Sequence, residues 1–68
     1  MNRVETAEPL LLDVQEAARM VGIGRSKLYE LIRKGHIPVV HIGRSVRVPV
    51  SALREFVSQM LADQEGGA

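Results

Sequence analysis

Val14, Ala17, Ala18 and Val21 recur at i, i+3, i+4 and i+7, with Gln15, Glu16 and Arg19 between them. That spacing lays the apolar side chains along one stripe of a helix. Asp13 stands where an N-cap belongs, and Glu16, three residues on, completes the signature of a capping box. Gly22 accepts the left-handed conformation that ends a helix, so a first helix is expected over 14–21. Leu28, Leu31 and Ile32 form a second stripe, which predicts a helix over about 25–34. Gly35 is placed to cap it and Pro38 forbids its continuation. Ile23 and Gly24 leave only a tight link between the two, which is the spacing of a helix-turn-helix. Before them, Leu10 to Leu12 read as a short apolar approach, and Met1 to Pro9 as a loose tail.

From Val39 the period falls to two. "VVHIGRSVRV" is β-branched on both sides of "GRS" and predicts an antiparallel hairpin. Residues directly opposite share a face. A three-residue loop, Gly43-Arg44-Ser45, would pair Ile42 with Val46, His41 with Arg47 and Val40 with Val48, apolar against apolar and polar against polar. A two-residue loop would break every match. Pro49 ends the second strand. Val50, Leu53, Phe56, Val57, Met60 and Leu61 then make a stripe for a third helix, with either Ser51 as its cap or Pro49 as an early helical position, expected to close over the first helix and the hairpin. "ADQEGGA" reads as a frayed end. The expected fold is mainly α with a β-hairpin, in the order α-α-β-β-α: a folded domain over 10–61 between flexible tails at 1–9 and 62–68.

The chain has 68 residues, enough for one domain. A domain of that size buries only about 60% of its unfolded surface. With one Tyr, one Phe and no Trp, its core must be aliphatic. It has no Cys, which excludes disulfides and thiolate metal sites. No apolar run approaches the ~20 residues of a membrane span, and the polar start does not resemble a signal peptide, so a cytoplasmic location and no membrane partner are expected. The formal net charge of +1 conceals a segregation. Residues 19–47 hold seven Lys/Arg against one acid, Glu30, while the remainder holds two against seven. A basic face for a polyanion follows, with an acidic remainder.

On a wheel at 100° per residue, Leu28, Leu31 and Ile32 face inward. Ser26, Tyr29, Glu30 and Arg33 lie opposite, with Arg25, Lys27 and Lys34 on the shoulders. A major groove about 12 Å wide admits such a helix. Shoulder cations would meet phosphates, and the opposite face would meet base edges. Glu30 suits a cytosine amino group, which makes it a candidate for discrimination more than affinity. Arg44 and Ser45 at the hairpin tip, with Arg47 and His41 nearby, suit a phosphate strand or a minor groove.

Blander readings compete with these. A cationic helix is often only a solvated face, but the short turn and the arginine-tipped hairpin weigh against that here. Tyr29 could fill core. His36 and His41 lack further ligands, so no metal and no cofactor is expected. No serine has a recognisable base-and-orienter set, and so small a core leaves little room for a pocket, so no catalytic residue is expected and the chain is not read as an enzyme. The glycines of "GIGRSK" follow a helix and meet neither the dinucleotide-fold nor the P-loop context.

"LLDVQEAARMVGIGRSKLYELIRKGHIPVVHIGRSVRVPVSALREFV" resembles the excisionase-type helix-turn-helix domain, a minimal winged relative of the MerR DNA-binding head, over Leu11 to Val57. The shared features are "EAA", the short turn into "RSKLYELIRKG", "IP", "IGRSVRVP" and "ALREF". The resemblance implies a winged helix-turn-helix with the second helix in the major groove and the hairpin as wing. It puts Arg25, Ser26, Lys27, Tyr29 and Arg33 in the recognition helix, and Arg44, Ser45 and Arg47 in the wing. Glu30 stands where many relatives carry a basic residue, and Gly24 where a serine is frequent. The implied role is an excisionase, a recombination directionality factor of a phage or mobile element. It would bind and bend double-stranded DNA near an attachment site in a bacterial cell, alongside neighbouring protomers and a cognate integrase. A small transcriptional regulator of the same fold is the alternative. A protein-interaction adaptor for an acidic partner is a different class, which DNA titration at several salt concentrations separates from both.

Overall fold

The structure, a computed structural model, describes residues 8–67. The elements run β1 (Leu11–Leu12), α1 (Val14–Val21), α2 (Arg25–Arg33), β2 (Val40–Ile42), β3 (Ser45–Pro49) and α3 (Val50–Gly67). The helix-turn-helix is as expected, with α2 ending one residue early at Arg33. The Asp13 carboxylate accepts from the Glu16 backbone N–H at 2.7 Å, satisfying one of the otherwise unpaired donors of the first turn. Gly22, at φ 88°, closes α1 by donating to the Ala18 carbonyl. Gly24 begins α2 with no side-chain cap. At the far end of α2, Gly35 donates to Ile32 and His36 donates to Leu31, the paired bonds of a Schellman motif that needs the left-handed Gly35, φ 84°.

The core is small and aliphatic: Leu12, Val14, Ala17, Ala18, Leu28, Ile37, Val48 and Leu53 are buried. Leu28 is 0% exposed and is the point where α2 is pinned. Ala17 and Ala18 belong to the same buried cluster, and their small side chains suit the packing of α1 against α2. Ile37, fully buried between Gly35 and Pro38, carries the chain from α2 into the sheet.

The sheet differs from expectation in two ways. It has three strands, in the order β1-β3-β2, because Leu11 and Leu12 pair antiparallel with Pro49 and Val48. A two-residue strand leaves no periodicity to read, and the apolar approach before α1 is in fact this strand. The hairpin register is also not the one expected. Val40 pairs with Arg47, His41 with Val46 and Ile42 with Ser45, leaving a two-residue loop, Gly43-Arg44. Gly43 has φ 62° and Arg44 does not have a positive φ, which is the type II′ turn with glycine first. Apolar matching failed as a guide because β2 is an edge strand whose three residues are all exposed. Burial therefore sets nothing there, and the turn fixes the register.

α3 starts at Val50, immediately after the last strand residue, so Ser51 lies inside the helix and is not its cap. Its first turns pack on α1 and β3, with Leu53 buried and Val50 and Phe56 half-buried. The stripe then outruns the body, and Val57, Met60 and Leu61 are exposed, Leu61 by 59%. The helix does not fray at Ala62 as expected but continues to Gly67. Ala62, Asp63, Gln64 and Glu65 include neither proline nor a β-branched residue, so nothing in their backbone preferences stops it. Among the described residues, no helix is long and apolar enough to cross a membrane.

Candidate nucleic-acid interface

Each predicted residue of α2 falls on the side its spacing requires. Leu28, Leu31 and Ile32 face the core, while Arg25, Ser26, Lys27, Tyr29, Arg33 and Lys34 are exposed and Glu30 is half-buried. Tyr29 is 48% exposed and is not core filler. The helix therefore offers a polar, mostly cationic ridge, held from behind by its apolar stripe.

The wing stands beside one flank of that ridge. Arg25 and Tyr29 of α2 share an open cleft of about 410 Å³ with Arg44, Ser45 and Arg47 of the hairpin. Asp13, Val14 and Gln15 at the start of α1 form its third wall. Gln15 is a residue that spacing did not single out. Its exposed place in the first turn of α1 was the available signal, and its amide can donate to a phosphate or read a base edge. Arg47 is half-buried, and its Nη1 donates to the Val46 carbonyl at 3.0 Å, so part of the guanidinium is used to brace its own strand. His41 lies opposite Val46 and not opposite Arg47, and it does not line the cleft.

The other flank of α2 is different in kind. Lys27 and Leu31 border a groove of about 550 Å³ against α3, where Phe56 and Met60 form apolar wall and Glu55 and Asp63 supply acid. Here the cations are paired. Glu30 Oε2 is 3.0 Å from Lys34 Nζ, and Glu30 Oε1 is 3.7 Å from Lys27 Nζ. The hydrogen bond from Lys34, then the charges of Lys27 and Lys34, hold the Glu30 carboxyl below its usual 4.5. Among the described residues, no ion pair involves Arg25, Arg33 or Arg44, and no group of three or more His, Cys, Asp or Glu is placed to hold a metal ion.

Comparison with known proteins agrees with this geometry. A family model described as a helix-turn-helix domain matches residues 11–60. A protein of Saccharopolyspora erythraea named "probable excisionase" is 42% identical over 55 residues, 81% of this chain and 56% of that protein. An excisionase of Streptomyces ambofaciens is 38% identical over 58 residues, 85% of this chain and 94% of that protein. The chain thus spans about half the length of the first relative and nearly all of the second. No solved structure matches the chain significantly.

Proposed function

The chain belongs to the helix-turn-helix domain family of DNA-binding proteins, a non-enzymatic one, and on that premise we propose that it acts as an excisionase. It binds double-stranded DNA beside an attachment site, bends it, and helps a cognate integrase run excision without cutting DNA itself. α2 enters the major groove. Ser26, Tyr29, Glu30 and Arg33 face the base edges, and Arg25, Lys27 and Lys34 flank them toward the phosphates. Arg44, Ser45 and Arg47, with His41 further back on the wing, track the adjacent backbone or minor groove.

The observation that carries this reading is the cleft in which Arg25 and Tyr29 of the helix meet Arg44, Ser45 and Arg47 of the hairpin. A cationic ridge alone is common. A ridge with an arginine-tipped ribbon standing beside it fits the spacing of a groove and its phosphate rail. One helix reads few base pairs, so several protomers on adjacent sites, or a partner protein, supply the rest of the specificity.

Footprinting on DNA flanking the gene, followed by a recombination assay with the integrase of the same element, tests the proposal. Protection of repeated short sites and integrase-dependent excision that requires this protein are expected. Protection of a promoter with altered transcription and no effect on excision would assign it to the regulators of the same fold. No salt-dependent DNA binding would end the reading altogether.

A further inference from the structure

Lys27 and Lys34 sit on the shoulder of α2 that faces away from the wing, and both reach Glu30, at 3.7 and 3.0 Å. The two ammonium groups are well exposed, at 62% and 59%, whereas the glutamate side chain between them is 36% exposed. Glu30 precedes Lys34 by four residues, the favourable order for such a pair on a helix. Its carboxylate is held ionised by the same contacts. The arginines of the wing-side shoulder and hairpin tip have no comparable partner among the described residues. The cations of the ridge and wing thus fall into two sets: one without an ion-pair partner among the described residues, and one held by a carboxylate on the same polar side of α2.

We propose that Glu30 is a positioning residue that determines specificity by holding Lys27 and Lys34 until it meets an exocyclic base amino group. The inference rests on α2 occupying the major groove. There, cytosine N4 or adenine N6 presents an N–H that a carboxylate accepts. At a site with that amino group in reach, the carboxylate exchanges its lysine partners for the base, and the two ammonium groups turn to the phosphates. On other sequences Glu30 finds no donor, so it keeps both lysines and they stay turned away from the phosphates. Non-cognate binding is almost wholly electrostatic, so it bears the full effect of two withheld cations.

The test uses the full chain, one duplex enriched by it from a random-sequence pool, and one shuffled duplex, each titrated across salt. In the wild type, the slope of log affinity against log salt is expected to be steeper on the enriched duplex by about 1.8, two phosphates at ~0.9 each. Glu30→Gln should erase that difference by steepening the slope on the shuffled duplex, with affinity there rising roughly tenfold near 0.15 M salt. The Lys27→Gln/Lys34→Gln pair should erase it from the other side, by flattening the slope on the enriched duplex. Equal slopes in the wild type would overturn the inference. So would a Glu30→Gln protein that loses affinity for the enriched duplex with both slopes unchanged. In either case salt-dependent wild-type binding would still stand, so the proposed DNA binding itself fails only if that binding is absent.

Discussion

The helices α2 and α3 begin with the same design and finish it differently. Both are amphipathic and both put a leucine into the shared core, Leu28 and Leu53. In α2 the apolar stripe is used up by the body, and the opposite side is crowded with Arg25, Lys27, Arg33 and Lys34 around one glutamate. In α3 the stripe continues past the body, so Val57, Met60 and Leu61 meet solvent, and after Arg54 the charges are the acids Glu55, Asp63 and Glu65. The lesson is that amphipathicity alone does not identify a working surface. The polar side of α2 is placed beside an arginine-bearing ribbon, which is what recommends it as the reader, whereas the apolar side chains of the outer half of α3 stay exposed among the described residues.

That contrast can be broken at its strongest point first. Leu28→Ala should destabilise the fold by about 2–5 kcal/mol, the usual range for a buried leucine truncation. In a domain this small, that is enough to populate the unfolded state, as a urea titration followed by circular dichroism would reveal. Retention of wild-type stability would mean that α2 is not anchored as described. Arg33→Ala leaves the fold alone and should cost about 1–3 kcal/mol of binding at one base position if its guanidinium makes a bidentate contact. A panel of single-base variants of the selected site measures that, and a uniform loss across the panel would move Arg33 to the phosphates. Arg44→Ala should do what Arg33→Ala does not, weakening all sequences alike and flattening the salt slope by about one. An unchanged slope would detach the wing from the DNA. At the quiet end, Leu61→Ser on the outer half of α3 should change stability by less than about 0.5 kcal/mol, as for an exposed position away from special features. A larger loss in thermal melts would show that this half of the helix is packed after all.

Acidity offers a further handle on α2. The folded carboxyl of Glu30 titrates below its usual 4.5 because of Lys34 and Lys27. A depressed folded value means that the pairing stabilises the helix above the ordinary carboxylate range and is lost as pH falls through the lower folded value. The difference in melting temperature between the wild type and Glu30→Gln should therefore be present at neutral pH and vanish in acid. A difference that persists unchanged at low pH would assign the effect to something other than the ion pairs.

Much of this is legible in the sequence. The first two helices were readable because several independent signals coincide: the Asp13 cap, the stripes through Ala17–Ala18 and Leu28–Ile32, and the left-handed glycines at 22 and 35. The exposed set on α2 followed from the same periodicity. The hairpin existed where expected but slipped by one loop residue, since matching apolar with apolar has force only where a strand is buried, and β2 is not. Two-residue β1 was too short to show a period. The length of α3 is not legible from its apolar stripe, which reports packing, because backbone propensity carries the helix further. The pairing of Glu30 with Lys27 and Lys34 is present in the sequence as i+3 and i+4 spacing, but a helical wheel shows outward direction and hides neighbours along the ridge.

The outward reach of α3 has a practical corollary. From Leu53 to Gly67 a helix climbs about 21 Å at 1.5 Å per residue, and the long axis of the molecule extends 48 Å against 27 and 17 Å for the others. A fluorophore, an affinity tag or a fused effector joined to the far end of that rod would be held well clear of the buried core. The molecule thus comes with a built-in boom, and cargo carried on it need not interfere with how the other end grips its target.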